Sequence, residues 1–449
     1  MKLKVKVLNI ATRGPFIAIL NENTADILNI EALDRILIKK DKKKVVVAVD
    51  FSLGKTGIKN YEIGIFLDVA EAINIKDGDA VDVALVPRPE SLNYIKKKLD
   101  KDELSKDEIN SIIKDIVDNK LTEVESTYFV SACYVNGLSI DETVSLIEAI
   151  KNNGGSLKFN HNRFILDKHS IGGIGGNRTT MLVTPIVAAA GFCMPKTSTR
   201  SITSAAGTSD AVEVLAPVIH SKESIMKIVK ETNACMVWGG ILDLASADDK
   251  LIKLERPLSL DPEGILLSSI LAKKLAAGST HILIDIPVGP EAKIKNKEKA
   301  KSLAKKFIVL GKRFGVKIKV LLSDGSQPVG NGVGPALEAR DVLLVLEGKG
   351  PKDLREKSLY MASLLLDMVG VQDSYSKASH ILNSGLALKK MKDIIKSQGG
   401  NPSVKSGDIK LGNYRFVFKA KKSGKISYIS NNLVNRIAKL AGAPFDKGA

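Results

Sequence analysis

The chain has 449 residues, 44% of them apolar, and a formal net charge of +17, so roughly two to four domains with sizeable cores are expected. Its lysines are spread along the whole sequence and only 5% of residues are aromatic, which leaves no basic–aromatic stripe to stack bases and argues against nucleic acid as a partner. The charge reads instead as a lysine-rich surface or an attraction for anionic small molecules. Cys133, Cys193 and Cys235 are too widely spaced for a disulfide framework or a metal site, and neither a signal pattern nor a membrane-length apolar run occurs, so a cytoplasmic chain without membrane attachment is expected.

Residues 1–87 alternate in hydropathy. Lys2–Val7, Lys44–Val49 and Val81–Val86 each have the period of a half-buried strand, and Pro87 and Pro89 stop the last. A small N-terminal β-rich domain over 1–87 is the reading, with no internal repeat apparent. Residues 88–158 carry three capping boxes, Ser105/Glu108, Thr122/Glu125 and Ser139/Glu142, each ahead of a helical apolar spacing. They predict a helical subdomain, which a helical stretch at about 246–278 rejoins.

From about residue 159 the pattern becomes strand–loop–helix, predicting an α/β domain with a mixed sheet over 159–245 and 279–403. Phe164–Asp167, His281–Ile286 and Val316–Leu322 read as its strands. A tail over 404–449 returns to alternation at Tyr414–Phe418 and is expected to form a C-terminal β-rich domain. The fold class is therefore multidomain α/β.

The first candidate site runs from Asp167 to Asn177. Gly172, Gly173, Gly175 and Gly176 follow a strand and precede a helix, so backbone amides and the positive helix end can converge on an oxyanion. Lys168, Ser170 and Thr180 add an ammonium and hydroxyls. No GK[ST] ending or acidic strand end is present, so the loop is neither a P-loop nor a dinucleotide fingerprint. His169 reads equally well as a structural histidine. A second loop, Lys196–Asp210, is rich in hydroxyls and holds Arg200, making a second anion cradle at a helix start. Two adjoining cradles suggest two phosphates. Asp261, before Pro262, is a turn residue or an acid; Ser269 and Lys273 share one helix face; Lys293 follows a strand where open α/β sheets bind ligands.

Together these segments resemble the thymidine phosphorylase superfamily (nucleoside phosphorylase type II). Its KHSxGG signature is matched by Lys168-His169-Ser170-Ile171-Gly172-Gly173, and Ser326–Gly330 and Ser384–Ala387 follow in the family's order. The extra N-terminal domain, Pro335 in Gly334–Glu338, and Leu254 with a displaced Arg256 in place of a base-contacting arginine look like the archaeal AMP phosphorylase branch. That resemblance implies a pentosyltransferase converting AMP and phosphate to adenine and ribose 1,5-bisphosphate, with CMP and UMP as lesser substrates. No cofactor or metal is implied, phosphate being a co-substrate, and a homodimer or higher homo-oligomer is.

The resemblance makes Asp261 the proton donor to the leaving base. It carries nucleotide contacts to Gly173, Thr199, Arg200, Ser201, Ile202, Thr203, Ser204, Thr208, Ser269 and Lys293, and base-side positions to His169 and Lys273. Phosphate contacts fall on Lys168, Ser170, Thr180, Ser198 and Thr208. Ala205 and Ala206 stand where the family has more glycine, and the family's C-terminal domain continues past Ala449, so that domain is expected incomplete. Thymidine or pyrimidine nucleoside phosphorylase, and a non-catalytic nucleotide-binding homologue, are the alternatives.

Overall fold

The computed structural model describes residues 1–449 apart from 13–15, 54–56, 160–162, 202–203, 243–245, 259 and 449. In chain order the first half holds β1 (Lys2–Leu8), β2 (Ile17–Asn21), α1 (Glu22–Leu28), β3 (Arg35–Lys40), β4 (Lys43–Ser52), β5 (Glu62–Phe66), α2 (Leu67–Ile73), β6 (Ala80–Leu85), α3 (Ser91–Leu99), α4 (Lys106–Val117), α5 (Glu123–Asn136), α6 (Ile140–Asn152), β7 (Leu166–Ser170), α7 (Thr179–Ala189), β8 (Met194–Ser198), α8 (Thr208–Val212) and α9 (Lys222–Thr232). The remainder holds β9 (Ala234–Trp238), α10 (Ser246–Glu255), α11 (Glu263–Ala276), β10 (His281–Val288), α12 (Lys297–Arg313), β11 (Lys317–Asp324), α13 (Pro335–Leu346), α14 (Lys352–Met368), α15 (Ser374–Asn383), α16 (Leu386–Ser397) and α17 (Asn431–Leu440). These form two compact units, Met1–Asn153 with Ser246–Ser269, and Gly154–Ala245 with Ile270–Ala449.

In the first unit the alternating strands close into a six-stranded barrel, ordered β1-β5-β2-β4-β3-β6. Their inward residues, among them Leu3, Val5, Ile36, Ile38, Val47, Ile63 and Val81, form an apolar core. The barrel also holds a repeat that the sequence reading does not find. Asn29 and Asn74 end α1 and α2 in the left-handed region, at φ 51° and 56°. Each is followed by a buried isoleucine, Ile30 or Ile75, whose amide donates to Ala25 or Ala70. Four residues further, Asp34 and Asp79 accept from the backbones of Glu31 and Lys76 at 2.9 and 2.7 Å.

The helices α3–α6 and α10 accompany the barrel in this unit. All three capping boxes are made, at Ser105, Thr122 and Ser139. Glu142, the acid of the third, also holds the buried Lys98 ammonium at 2.7 Å. Segment 246–269 packs on the same bundle: the Lys250 ammonium donates to the carbonyls of Ile116 and Val117 at 2.8 Å, and a Cβ at Gly264 would lie 2.7 Å from Leu138.

The second unit is built on parallel strands. The ladders β11-β10-β7 and β8-β9 meet through a bridge between Ile165 and Cys193. The expected mixed sheet is corrected: among the described residues every pairing here is parallel, because helices, not hairpins, return the chain between strands. α7 lies at the centre with all of Thr179–Ala188 buried, packed by α14, α15 and α16. The expected C-terminal β-rich domain is corrected too. Residues 409–430 form no strand, since no described strand offers them a ladder, and Tyr414, Phe416 and Phe418 are 99%, 90% and 84% exposed.

Candidate active site

β7 runs three residues further than the sequence suggests, so Lys168, His169 and Ser170 are strand residues and not part of the glycine loop. Alternation then sends their side chains to opposite faces. Lys168 and Ser170 share one face. The Lys168 ammonium is buried and lies 2.8 Å from Thr179 Oγ1 and 3.5 Å from Thr180 Oγ1, at the start of α7. Burial draws it down to about 8, with Asp285 opposing that shift and Lys357 adding to it. Ser170 donates to Asp285 Oδ2 at 2.8 Å, Ser323 donates to Asp285 Oδ1 at 2.5 Å, and the Lys357 ammonium stands 3.8 Å from Asp285.

Asp167 and His169 share the other face. Asp167 is fully buried between two ammoniums, Lys196 at 3.0 Å and Lys274 at 2.7 Å. Burial alone would raise the carboxyl; the two lysines outweigh it and hold it below its ordinary value. Burial, and then Lys274, Lys196, Lys168 and Lys273, drive His169 well below the ordinary imidazole value. A neutral imidazole beside this cluster can donate or accept a hydrogen bond without adding charge.

The glycine loop closes tightly on its neighbours. A Cβ at Gly173, where φ is +90°, would lie 2.7 Å from the Lys293 backbone nitrogen; one at Gly176 would lie 2.2 Å from the Val329 carbonyl. These approaches require glycine, and they bring the loops after β7, β10 and β11 together beyond the strand carboxyl ends. Lys293 itself is exposed.

The second loop is organised by Asp210, which accepts from the amides of Ser201 and Gly207 at 2.7 and 2.8 Å. Ser198 and Ser209 share a hydrogen bond at 2.8 Å, Ser204 donates to the Ala206 carbonyl, and Thr199 is exposed. Ala205 and Ala206 keep negative φ and are buried, so the loop takes its course without glycine there. The helix after it, α8, spans five residues, so the amides and hydroxyls of the loop, more than a helix dipole, are what it can offer an anion. Arg200 is engaged by the protein: its guanidinium meets both Glu213 oxygens at 2.8 Å, reaches Asp210 at 3.2 Å and lies over Trp238. The hydrogen bonds from Arg200 hold Glu213 down at about 2. Ile202 and Thr203 lie outside the described residues.

Arg178 was not singled out from the sequence, yet it joins the two loops. It donates to the Gly176 carbonyl, the Ala206 carbonyl and Thr208 Oγ1, each at 3.1 Å, and pairs with buried Glu338. Asp285 was also missed, although an aspartate inside the apolar strand His281–Val288 is the kind of buried acid that signals a site. The remaining candidates lie on one stretch of chain. Asp261 is exposed, ahead of α11, and belongs with Ser269 to the first unit, whereas Lys273, one turn along the same helix, belongs to the second.

Residues 92–154 match the glycosyl transferase family's helical bundle domain, and 162–388 its a/b domain. An anthranilate phosphoribosyltransferase from Thermus thermophilus has the same fold, with a TM-score of 0.56 at 16% identity over 68% of this chain and 98% of that one. Among curated relatives, the AMP phosphorylase of Thermococcus sibiricus is 46% identical over 100% of this chain and 89% of its own length. That of Methanocaldococcus jannaschii is 43% identical over 100% of this chain and 88% of its own. Identity of this order, end to end across the barrel, the bundle and both loops, means that the chain belongs to the AMP phosphorylase family.

Proposed function

We propose that this chain cleaves nucleoside 5′-monophosphates with inorganic phosphate, converting AMP to adenine and ribose 1,5-bisphosphate, with CMP and UMP as lesser substrates. The observation that carries the reading is the pair of adjoining loops joined by Arg178, with the buried Lys168 ammonium and the Thr179 and Thr180 hydroxyls beneath the first. Such an arrangement suits two anions close together, as a nucleotide and a phosphate must be. The names of the full-length relatives support the same chemistry.

In this mechanism a phosphate oxygen forms a bond to C1′ as the bond from C1′ to the base nitrogen breaks, and its electron pair leaves with adenine. Positive charge builds on the sugar and is met by the phosphate dianion. Lys168, Ser170, Thr180, Ser198 and Thr208 hold the phosphate; Gly173, the Thr199–Ser204 loop, Thr208, Ser269 and Lys293 hold the nucleotide, its 5′-phosphate included. Asp261 gives a proton to the departing base, which asks that bound substrate desolvate it, and His169 and Lys273 face the base. Arg200, bound to Glu213, contributes by shaping its loop.

Asp261→Asn folds normally, the side chain being exposed, and lowers kcat for AMP by about 10²–10⁴-fold. The reading as a whole is tested by phosphate-dependent base release from a panel of nucleotides and nucleosides. Release from AMP that requires phosphate supports it. A preference for unphosphorylated thymidine or uridine moves the chain to the nucleoside phosphorylases, and AMP binding without release makes it a binding homologue.

A further inference from the structure

The segment that forms no β domain does something else. Helix α17 lies across the loops at the carboxyl ends of the parallel strands and bonds to four of them. Asn431, fully buried at its first turn, accepts from the Gly175 amide at 2.9 Å and donates to the Gly325 carbonyl at 3.3 Å, so one side-chain amide joins the glycine loop to the loop after β11. Asn435, one turn on, accepts from the Ala205 amide at 3.1 Å in the second loop. At the N-terminus of α17, Ser430 Oγ lies 2.9 Å from both Glu291 oxygens, and the Asn432 amide donates to Glu291 at 2.9 Å; Glu291 is in the loop that carries Lys293.

Packing follows the same course. The Ala205 methyl is buried with Ala438 and Ala443, and a Cβ at Gly175 would lie 3.2 Å from Val434. Past the helix, Lys447 pairs with Glu213 at 3.1 Å, the acid that holds Arg200.

We infer that α17 is a clamp that sets the relative positions of the anion-holding loops, with Asn431 its main positioning residue and Asn435 its second. The inference rests on the phosphorolysis reading for its kinetic consequences and on the hydrogen bonds alone for its structural ones. A buried amide and carbonyl that lose their shared partner do not regain water, so the loops shift until they find one. Displacement on the ångström scale at a site of this kind costs up to about 10²-fold in kcat/KM.

The test pairs kinetics with hydrogen exchange on the full chain. Asn431→Leu keeps the shape and loses both bonds; Asn431→Asp keeps an acceptor for Gly175 and loses the donor to Gly325; Asn435→Ala releases only the second loop. Ile437→Ala, on the exposed side of the helix, is the control. We expect Asn431→Leu to raise KM for phosphate about tenfold or more with a smaller change in kcat, a split that simple loss of folded protein does not produce. Asn435→Ala acts on KM for AMP, and Ile437→Ala on neither. Amide exchange over 171–178 speeds up in Asn431→Leu, and over 325–332 in both Asn431 variants. Should Asn431→Leu not fold, Asn431→Asp and Asn435→Ala decide the matter.

Unchanged exchange over 171–178 in Asn431→Leu, over 325–332 in Asn431→Asp, or unchanged KM values in folded variants, overturns the clamp. If the wild-type chain turns over no nucleotide, the phosphorolysis reading fails and the exchange data alone judge the clamp.

Discussion

The barrel of residues 2–85 and the strand ends of the α/β unit are both β structure, yet they spend their buried positions differently. The barrel core is a set of valines, isoleucines, leucines and alanines, and its described ionisable groups stay outside or pair at the rim. Along β7, β8 and β10 the chain buries Asp167, Lys168, Lys196 and Asp285, with Lys274 of α11 beside them. Burying charge costs far more than burying methylenes, and each of these groups has to be met by another. A sequence tolerates that cost where charge must be presented to a ligand, or where a single pair such as Lys98 and Glu142 is fully met. The concentration of such groups on neighbouring strands is what marks the candidate site.

Substitutions in each region can break or sharpen this contrast. Asp167→Ala removes the one acid between Lys196 and Lys274 and leaves two ammoniums buried together, so a loss of about 3–5 kcal/mol is expected in denaturant unfolding. A loss below about 1 kcal/mol would mean the pair is hydrated and the cluster is not a buried one. Ile63→Ala, in the barrel core, costs about 2–5 kcal/mol but leaves kcat per folded molecule unchanged. A matching fall in kcat would tie the barrel to the chemistry. The smallest effect is at the repeat: Asn74→Ala costs about 1 kcal/mol because alanine resists the left-handed region, whereas Asn74→Gly is close to neutral. Equal costs for the two would show that the Asn74 side chain, and not its φ, holds the turn.

What was legible in the sequence was what neighbours in the chain decide. The capping boxes at Ser105, Thr122 and Ser139 need residues three apart, and all are made. Strands such as Lys2–Leu8 and His281–Val288 announce themselves by period or by a continuous apolar run. The glycine loop was legible because close backbone approach excludes other residues, as at Gly173 and Gly176.

Long-range arrangement was not legible. Tyr414–Phe418 alternates like a strand, but alternation says nothing of a partner ladder, and the segment pairs with none described. The barrel repeat shares Ala25/Ala70, Asn29/Asn74, Ile30/Ile75 and Asp34/Asp79 at one spacing, a set too sparse to stand out before the positive φ at Asn29 and Asn74 is seen. Asn431 reaches the glycine loop across 256 residues of sequence, and no local pattern marks it. Arg200 reads from the sequence as part of an anion cradle; its carboxylate partner Glu213 stands 13 residues further on.

The central claim is that the buried Lys168 ammonium holds an oxyanion at the foot of the glycine loop. Calorimetric titration of inorganic phosphate into the wild-type chain and Lys168→Met, across pH 7–9.5, tests it most directly. Since burial sets this ammonium at about 8, below the ordinary 10.5, it loses its proton as pH passes 8, so phosphate binding should weaken there. Folding stability should rise over the same interval, because the unfolded chain is the one that keeps the proton. Lys168→Met should bind phosphate roughly tenfold to a hundredfold more weakly at pH 7, be no less stable, and lose the fall in affinity above pH 8. Equal affinity in the two proteins, or the same fall in affinity above pH 8 in Lys168→Met, would contradict the account.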